Sequence, residues 1–291
     1  MILSKKIILG TANFNQNYGL LNNKLSKKKA ESLLSFARKK KIKYLETSKD
    51  YRDLKFISQK NLNYFYLYKK IDVSDRYFLN GNTENKLIKY LFMKDESRCY
   101  GVILRNPNFL LKKKNKKIFN VLKKLQKKKL IREIGITIYD TKNLKKIVNI
   151  FRIDFIQLPY NFLNYKILQR TKKIVMKKKI EIHVRSIFLQ GLLLKKAKNL
   201  PAVLSKLKKY WIMIDKYLNH INLNRYSACL NFALNSGADK IVLGANNKNQ
   251  LKEIFKTRFV NFTLPKFIVS EKKLIDPIYW LELKKNVDSK S

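Results

Sequence analysis

Short apolar runs alternate along the chain with longer stretches in which apolar residues recur every third or fourth position. The short runs predict strands at Lys6–Leu9, Ile42–Glu46, Tyr64–Ile71, Tyr100–Leu104, Ile131–Ile136, Asp154–Leu158, Ile180–Arg185 and Lys240–Leu243. The longer stretches predict amphipathic helices. "SKKKAESLLSFARKKK" opens on Ser26 as its expected N-cap and gathers Ala30, Leu33, Leu34 and Ala37 on one face. "NKKIFNVLKKLQKKK" does the same with Ile118, Val121, Leu122 and Leu125, and "DTKNLKKIVNIF" begins with an Asp or Thr cap. Residues 164–178, 201–222, 225–236 and 247–257 carry the same period, whereas "RDLKFISQKN" supports about two turns at most.

Strands this short, separated by helices, pair in parallel with right-handed crossovers. Eight such units predict an α/β protein with a closed (β/α)8 TIM barrel in a single domain, 1–275, followed by a C-terminal segment and polar tail, 276–291. The first strand ends in "LGTANFNQ", which lacks the glycine spacing of a doubly wound dinucleotide fold.

Composition changes this picture little. The formal charge of +45 comes from 54 Lys but only 11 Arg, spread over nearly every helix. Recognition of phosphate and bases favours the planar fork of Arg, so this charge predicts weak, non-specific polyanion binding and no specific nucleic-acid partner. Cys99 and Cys229 form no metal or redox spacing. No run reaches the length of a membrane span, and "MILSKKIILG" has no signal-peptide layout; the expected location is cytoplasmic.

In a barrel, function sits at the C-terminal ends of the strands. Those ends carry Gly10, Thr11, Glu46, Tyr51, Lys69 or Lys70, Arg105, Thr137, Gln157, Arg185 and Gly244. A carboxylate, a phenol and cations thus converge from strands two, three and four, although strand ends facing water are polar in any barrel. His183 in "IEIHVRS" and His220 have no partner at metal spacing and read as structural, and no metal site is expected. Glu133, Asp140 and Asp154 read as strand-flank or cap residues.

At "ILGTANF", "YLETSKDY", "VILRNPNFLL", "LIREIGITIY", "FIQLPYNFLN", "VRSIFLQGLLL" and "IVLGANNKNQLKEI" the chain resembles the aldo-keto reductase family, in the family's order from about residue 7 to 257. "RSIFLQGLLL" and "LIDPIYW" are similar to bacterial members found with surface-polysaccharide genes. The resemblance implies an NAD(P)-dependent oxidoreductase that reduces an aldehyde or ketone, of sugar origin in one reading, or oxidises the alcohol. It implies Tyr51 as the proton donor, Lys70 (or Lys69) as the cation lowering its pKa, Glu46 as the partner of that cation, and Arg105 where the family carries an orienting His. It further implies cofactor contacts from Gly10, Thr11, Arg185 and Ser186. Thr137 and Gln157 would meet the nicotinamide carboxamide, and Gly244, Ala245, Asn246, Gln250 and Glu253 the adenosine phosphate.

Departures from the family pattern are Glu46 for Asp, Arg105 for His, Ile138 for a frequent Asn, Arg52 for a common Gly, and the lack of Lys or Arg at 244 and 250. They leave NADP(H) and NAD(H) both open, and a catalytically degenerate barrel that binds nucleotide or a protein partner as the alternative reading. An RNA-associated basic protein is a third. Binding to heparin or homopolymeric RNA should be detectable at low salt and vanish by about 0.3 M; affinity surviving that salt would point to a dedicated site.

Overall fold

The computed structural model describes residues 3–14, 16–18, 24–49, 51, 54–93, 98–263, 269 and 271–280. Eight strands form its centre: β1 (Ile7–Gly10), β2 (Tyr44–Ser48), β3 (Tyr66–Asp72), β4 (Arg98–Arg105), β5 (Glu133–Thr137), β6 (Phe155–Pro159), β7 (Glu181–Arg185) and β8 (Lys240–Leu243). Each pairs in parallel with the next, and β8 pairs with β1 through Ile8 and Val242, closing the barrel. All eight predicted strands are present, with ends shifted by a few residues. The helices Lys27–Lys39, Lys116–Lys127, Leu144–Ile150, Lys166–Val175, Lys208–His220, Arg225–Leu234 and Lys248–Lys256 cover the outside. None of the described helices is long and apolar enough to cross a membrane.

Helix starts differ in chemistry from the sequence expectation. Ser26 stands at the N-cap of the first long helix, but its side chain makes no capping hydrogen bond. The helix expected from Asp140 or Thr141 begins after Asn143, which takes a left-handed φ of 62°. Asp140 instead accepts from the backbone N–H of Lys142, an Asx-type turn, and the helix starts only at Leu144. Among the described residues between β2 and β3 the chain makes two short helical turns, at Leu54–Phe56 and Gln59–Leu62; Arg52 lies outside the described residues.

Strand parity divides the apolar residues into two cores. Ile7, Leu9, Leu67, Val102, Leu104, Ile156, Leu158, Ile241 and Leu243 point outward and pack beneath the helices. Their neighbours Ile8, Tyr68, Ile103, Phe155 and Val242 point inward and fill the barrel. Two glycines make room for this interior. A Cβ on Gly135 would lie 2.4 Å from the Phe155 ring, and one on Gly101 2.6 Å from the Tyr68 ring.

The foot of the barrel is closed by polar groups that the sequence left scattered. Tyr68 donates to Glu133 Oε2 at 2.6 Å, His183 Nε2 meets Glu181 Oε2 at 3.1 Å, and the His183 ring stacks on Phe155 at 4.2 Å. Glu133 is therefore an interior residue, and His183 does have carboxylate neighbours: one donor atom from each of Glu133, Glu181 and His183 falls within 4.8 Å of the others. These contacts lock the plug together, far from the C-terminal strand ends. Asp154 does cap a strand edge, accepting from the Ile134 N–H at 2.8 Å.

A second apolar cluster covers one side, built from Leu189, Leu192, Trp211, Ile214, Leu274 and Trp280. Trp280 is buried and donates from Nε1 to the Leu274 carbonyl. The polar tail expected beyond it lies outside the described residues. Both cysteines are buried, and burial pushes each thiol up to about 12.

Gly135→Ala should destabilise the barrel by about 1–3 kcal/mol, because the new methyl overlaps a ring that has no room to move. Thermal or urea denaturation would read this, and an unchanged midpoint would mean that the Phe155–His183 stack is loose.

Candidate active site

Strand parity also delivers the polar residues. One step beyond the inward core residues, on the same face, stand Gly10, Lys70, Arg105, Gln157, Arg185 and Gly244. Together with Glu46 and Thr137 they form the upper layer of the barrel. Above them opens a cavity of about 340 Å³ lined by Tyr51, Glu46, Lys70, Arg105, Thr137 and Arg185, among others.

At its floor Lys70 Nζ lies 2.5 Å from Glu46 Oε1, with both side chains almost fully buried. The other carboxylate oxygen of Glu46 accepts from Gln157 Nε2, also at 2.5 Å. Glu46 thus joins strands β2, β3 and β6. Burial lowers the Lys70 pKa and the Glu46 charge opposes that, with Arg185 adding to the lowering. The choice between the two lysines follows from parity: Lys69 points outward, where its Nζ donates to the Tyr90 carbonyl at 3.4 Å.

Tyr51 enters the cavity from the loop after β2. Its backbone N–H donates to the Ser48 carbonyl at 3.0 Å, which turns the chain back over the barrel mouth. Its pKa departs from the expectation of a lowered phenol. Burial holds it well above the ordinary range, reinforced by Tyr18 and Glu46. The cations that oppose this are Arg185 and Arg105, and they do not outweigh burial. The Lys70 charge is spent on Glu46.

The cofactor candidates divide. Gly10, Thr137, Arg185, Ser186, Gly244, Asn246 and Gln250 line the cavity. Gln157 lies beneath it, fully buried, and its amide nitrogen is occupied by Glu46; that departs from a residue reserved for a ligand. Its Oε1, however, is buried without a hydrogen-bond partner, as is Thr137 Oγ1. Thr11 is turned away and donates to the Glu46 carbonyl at 3.0 Å. Ala245 contributes its carbonyl, which accepts from Asn13 Nδ2 at 3.1 Å. Glu253 is exposed beside Lys256 and lies outside the cavity lining. Gln250 folds back to accept from the Asn246 N–H at 2.7 Å, and Asn247 caps the helix by accepting from the Gln250 N–H.

Several lining residues were not singled out from the sequence: Asn13, Tyr18, Ser48, Tyr139, Gln190 and Tyr226. Most sit on loops beyond the strand ends, where a strand pattern gives no position. Tyr139 is the one with a signal, two residues past Thr137 on the same parity. A cluster of left-handed residues marks the same rim. Ser186, Leu189 and Gln190 have φ of 58°, 47° and 54°, a conformation that is strained for side-chain-bearing residues and concentrates at functional sites.

A sequence model of the aldo/keto reductase family matches residues 106–270, more than half of the chain. The chain belongs to the aldo/keto reductase family. That match begins after β4, so it does not extend to Glu46, Tyr51 or Lys70. Among curated proteins none matches by sequence. Solved structures with the same fold include the glycerol dehydrogenase AKR11B4 from Gluconobacter oxydans, with 14% identity, a TM-score of 0.64, and coverage of 98% of this chain and 90% of that one. The thermostable aldo-keto reductase Tm1743 in complex with the inhibitor epalrestat has 14% identity, a TM-score of 0.61, and coverage of 88% and 90%. A Gox0644 mutant in complex with NADPH has 11% identity, a TM-score of 0.60, and coverage of 95% and 89%.

Removing the ammonium alone leaves a buried carboxylate with only a neutral amide. Lys70→Met should therefore cost about 3–5 kcal/mol of stability, and adding Glu46→Gln should restore much of it. Equal stability of Lys70→Met and wild type, read by denaturant titration, would mean that water reaches the pair.

Proposed function

We propose that this aldo/keto reductase barrel, spanning residues 1–275 as one unit, reduces an aldehyde or ketone with NADPH or NADH, with Tyr51 as the proton donor. The observation that carries the reading is the meeting of Tyr51, the Lys70–Glu46 pair and Thr137, whose buried Oγ1 has no hydrogen-bond partner, around one cavity, with the unpartnered Oε1 of Gln157 buried beneath it. A carboxamide NH2 supplies the donors those two oxygens lack, so the residues present fit a nicotinamide. The open space at Gly244, where a Cβ would meet nothing within 4 Å, leaves room for the rest of the nucleotide along β8. The solved Gox0644 mutant was obtained with NADPH.

When bound, the nicotinamide supplies hydride to the carbonyl carbon. Tyr51 then gives its phenolic proton to the carbonyl oxygen as negative charge develops there. Arg105 and Arg185 stabilise that charge, and Glu46 holds Lys70 and Gln157 in place around it. A phenol held above its ordinary range keeps its proton, which is then available to the carbonyl oxygen. The work is expected in the cytoplasm, on a small carbonyl compound.

The second reading is a barrel that binds nucleotide without turnover. It is favoured by Lys70, whose charge is committed to Glu46 and leaves Tyr51 at high pKa.

Fluorescence titration with NADPH and NADH separates these from a barrel without cofactor: binding of neither at millimolar concentration would remove the reductase reading. With cofactor bound, Tyr51→Phe should lower the reduction rate by about 10²–10⁴-fold and leave cofactor affinity nearly unchanged. Undiminished turnover in that variant would assign the proton to another group. Because the protonated phenol is the active form and its pKa is raised, kcat/KM for reduction should stay level up to about pH 10, the ordinary phenol value. A decline beginning near neutrality would mean that the phenol is acidified, as the family resemblance alone would suggest.

A further inference from the structure

Tyr51 reaches the cavity from a loop and not from a strand, so its position depends on what fixes that loop. Its backbone N–H closes a turn on the Ser48 carbonyl at 3.0 Å, and Lys49 is the second residue of that turn. Lys49 is itself held from two sides. Its backbone N–H donates to the Lys70 carbonyl at 3.4 Å. Its side chain crosses to the loop after β3, where Nζ lies 2.6 Å from Asp75 Oδ2. The same ammonium stands 4.1 Å from the centroid of the Tyr77 ring and 5.0 Å from that of Phe78. Asp75 is an anchored partner. It caps the short helix Arg76–Leu79 through its other oxygen, Oδ1, which accepts from the Tyr77 N–H at 2.8 Å. Burial alone would raise its carboxyl pKa, but the hydrogen bonds from Lys49 and Tyr77 and the Lys49 charge hold it below the ordinary value. Three residues earlier, Asp72 accepts from the Ser74 N–H at 2.8 Å and from Asn106 Nδ2 at 2.7 Å, which ties the same loop to the end of β4.

We propose that Lys49, held by Asp75, is a positioning residue for Tyr51: the ion pair fixes the turn from which the phenol reaches into the cavity. This rests on the reductase reading and adds to it the pair that keeps the proton donor in place. The two side chains are 33% and 29% exposed, and an ion pair at that exposure contributes little to stability. Its effect falls instead on rate, because a displacement of about 1 Å at a reacting group can cost about a hundredfold. A contact that only stabilised the loop would lower the unfolding midpoint along with the rate. This pair should lower the rate alone.

The experiment compares Asp75→Asn, Lys49→Met, Lys49→Arg and the double variant Lys49→Met/Asp75→Asn with the wild type. It reads kcat and KM for glyceraldehyde and benzaldehyde, cofactor Kd by fluorescence, and the denaturation midpoint. Asn keeps the helix cap and Met keeps an unbranched stem, so each single change removes one charge and little else. Each should lower kcat by about tenfold or more, with KM and cofactor Kd within about twofold of wild type and the midpoint hardly moved. The double variant should be no worse than the poorer single one, since both changes remove the same contact. Lys49→Arg, which can still pair with the carboxylate, should recover most of the rate. Undiminished kcat in both single variants would overturn the proposal. So would losses that multiply in the double variant, or a fall in kcat matched by a rise in KM and cofactor Kd. A second readout needs no turnover: Tyr51→fluorotyrosine should give one fluorine resonance in the otherwise wild-type protein, shifted or broadened when Asp75→Asn or Lys49→Met is added. An identical resonance in all three proteins would overturn the proposal. Failure of the wild type to bind either cofactor would remove the reductase reading alone and leave the fluorine result to decide. If Asp75→Asn does not fold, Lys49→Met carries the same comparison.

Discussion

The salt bridge between Lys70 and Glu46 is the constraint on which the site is built. An ammonium and a carboxylate buried at 2.5 Å stabilise each other only if the rest of their hydrogen-bonding capacity is met. The carboxylate meets it with the Gln157 amide, so one acidic side chain fixes the geometry of three strands at once. The consequence is electrostatic as well as mechanical. Burial, reinforced by Tyr18 and Glu46, holds the Tyr51 phenol well above its ordinary range.

The interior of the barrel explains why this layer is presented so consistently. Beneath it, Tyr68 and Phe155 occupy space that only glycines at 101 and 135 leave open. Hydrogen bonds from Tyr68 to Glu133, and between His183 and Glu181, close the foot. The inward residues two positions further along each strand therefore rest on a packed, immobile plug. Variation at the mouth, including Arg in place of an orienting His, can then alter chemistry with little effect on the barrel itself.

Much of this was legible in the sequence. The eight apolar runs are a local signal and survived as eight strands; only their ends moved, since strand ends depend on neighbours. Parity would also have decided between Lys69 and Lys70, had Tyr68 been recognised as an interior residue. In "YLYKKI" the apolar character of both faces hid which tyrosine points inward. The foot cluster was missed for a similar reason. Glu133, Glu181 and His183 come from two strands that are adjacent only through β6, and no spacing along the chain announces that closure. The loop residues Tyr18, Tyr139 and Gln190 depend on backbone conformations that no hydrophobic pattern encodes. Gln157 and Tyr51 were identified, but their electrostatic state was not: partner choice and burial set it, and both are properties of the closed cavity.

The central claim is spatial, and a crystal structure of the protein with NADPH or NADH bound tests it most directly. The account predicts the nicotinamide carboxamide within hydrogen-bond distance of Thr137 Oγ1 and Gln157 Oε1, the Lys70–Glu46 pair intact below it, and the Tyr51 hydroxyl facing the reactive ring carbon. A cofactor seated elsewhere on the barrel, or a Tyr51 side chain turned out of the cavity when the cofactor binds, would contradict it.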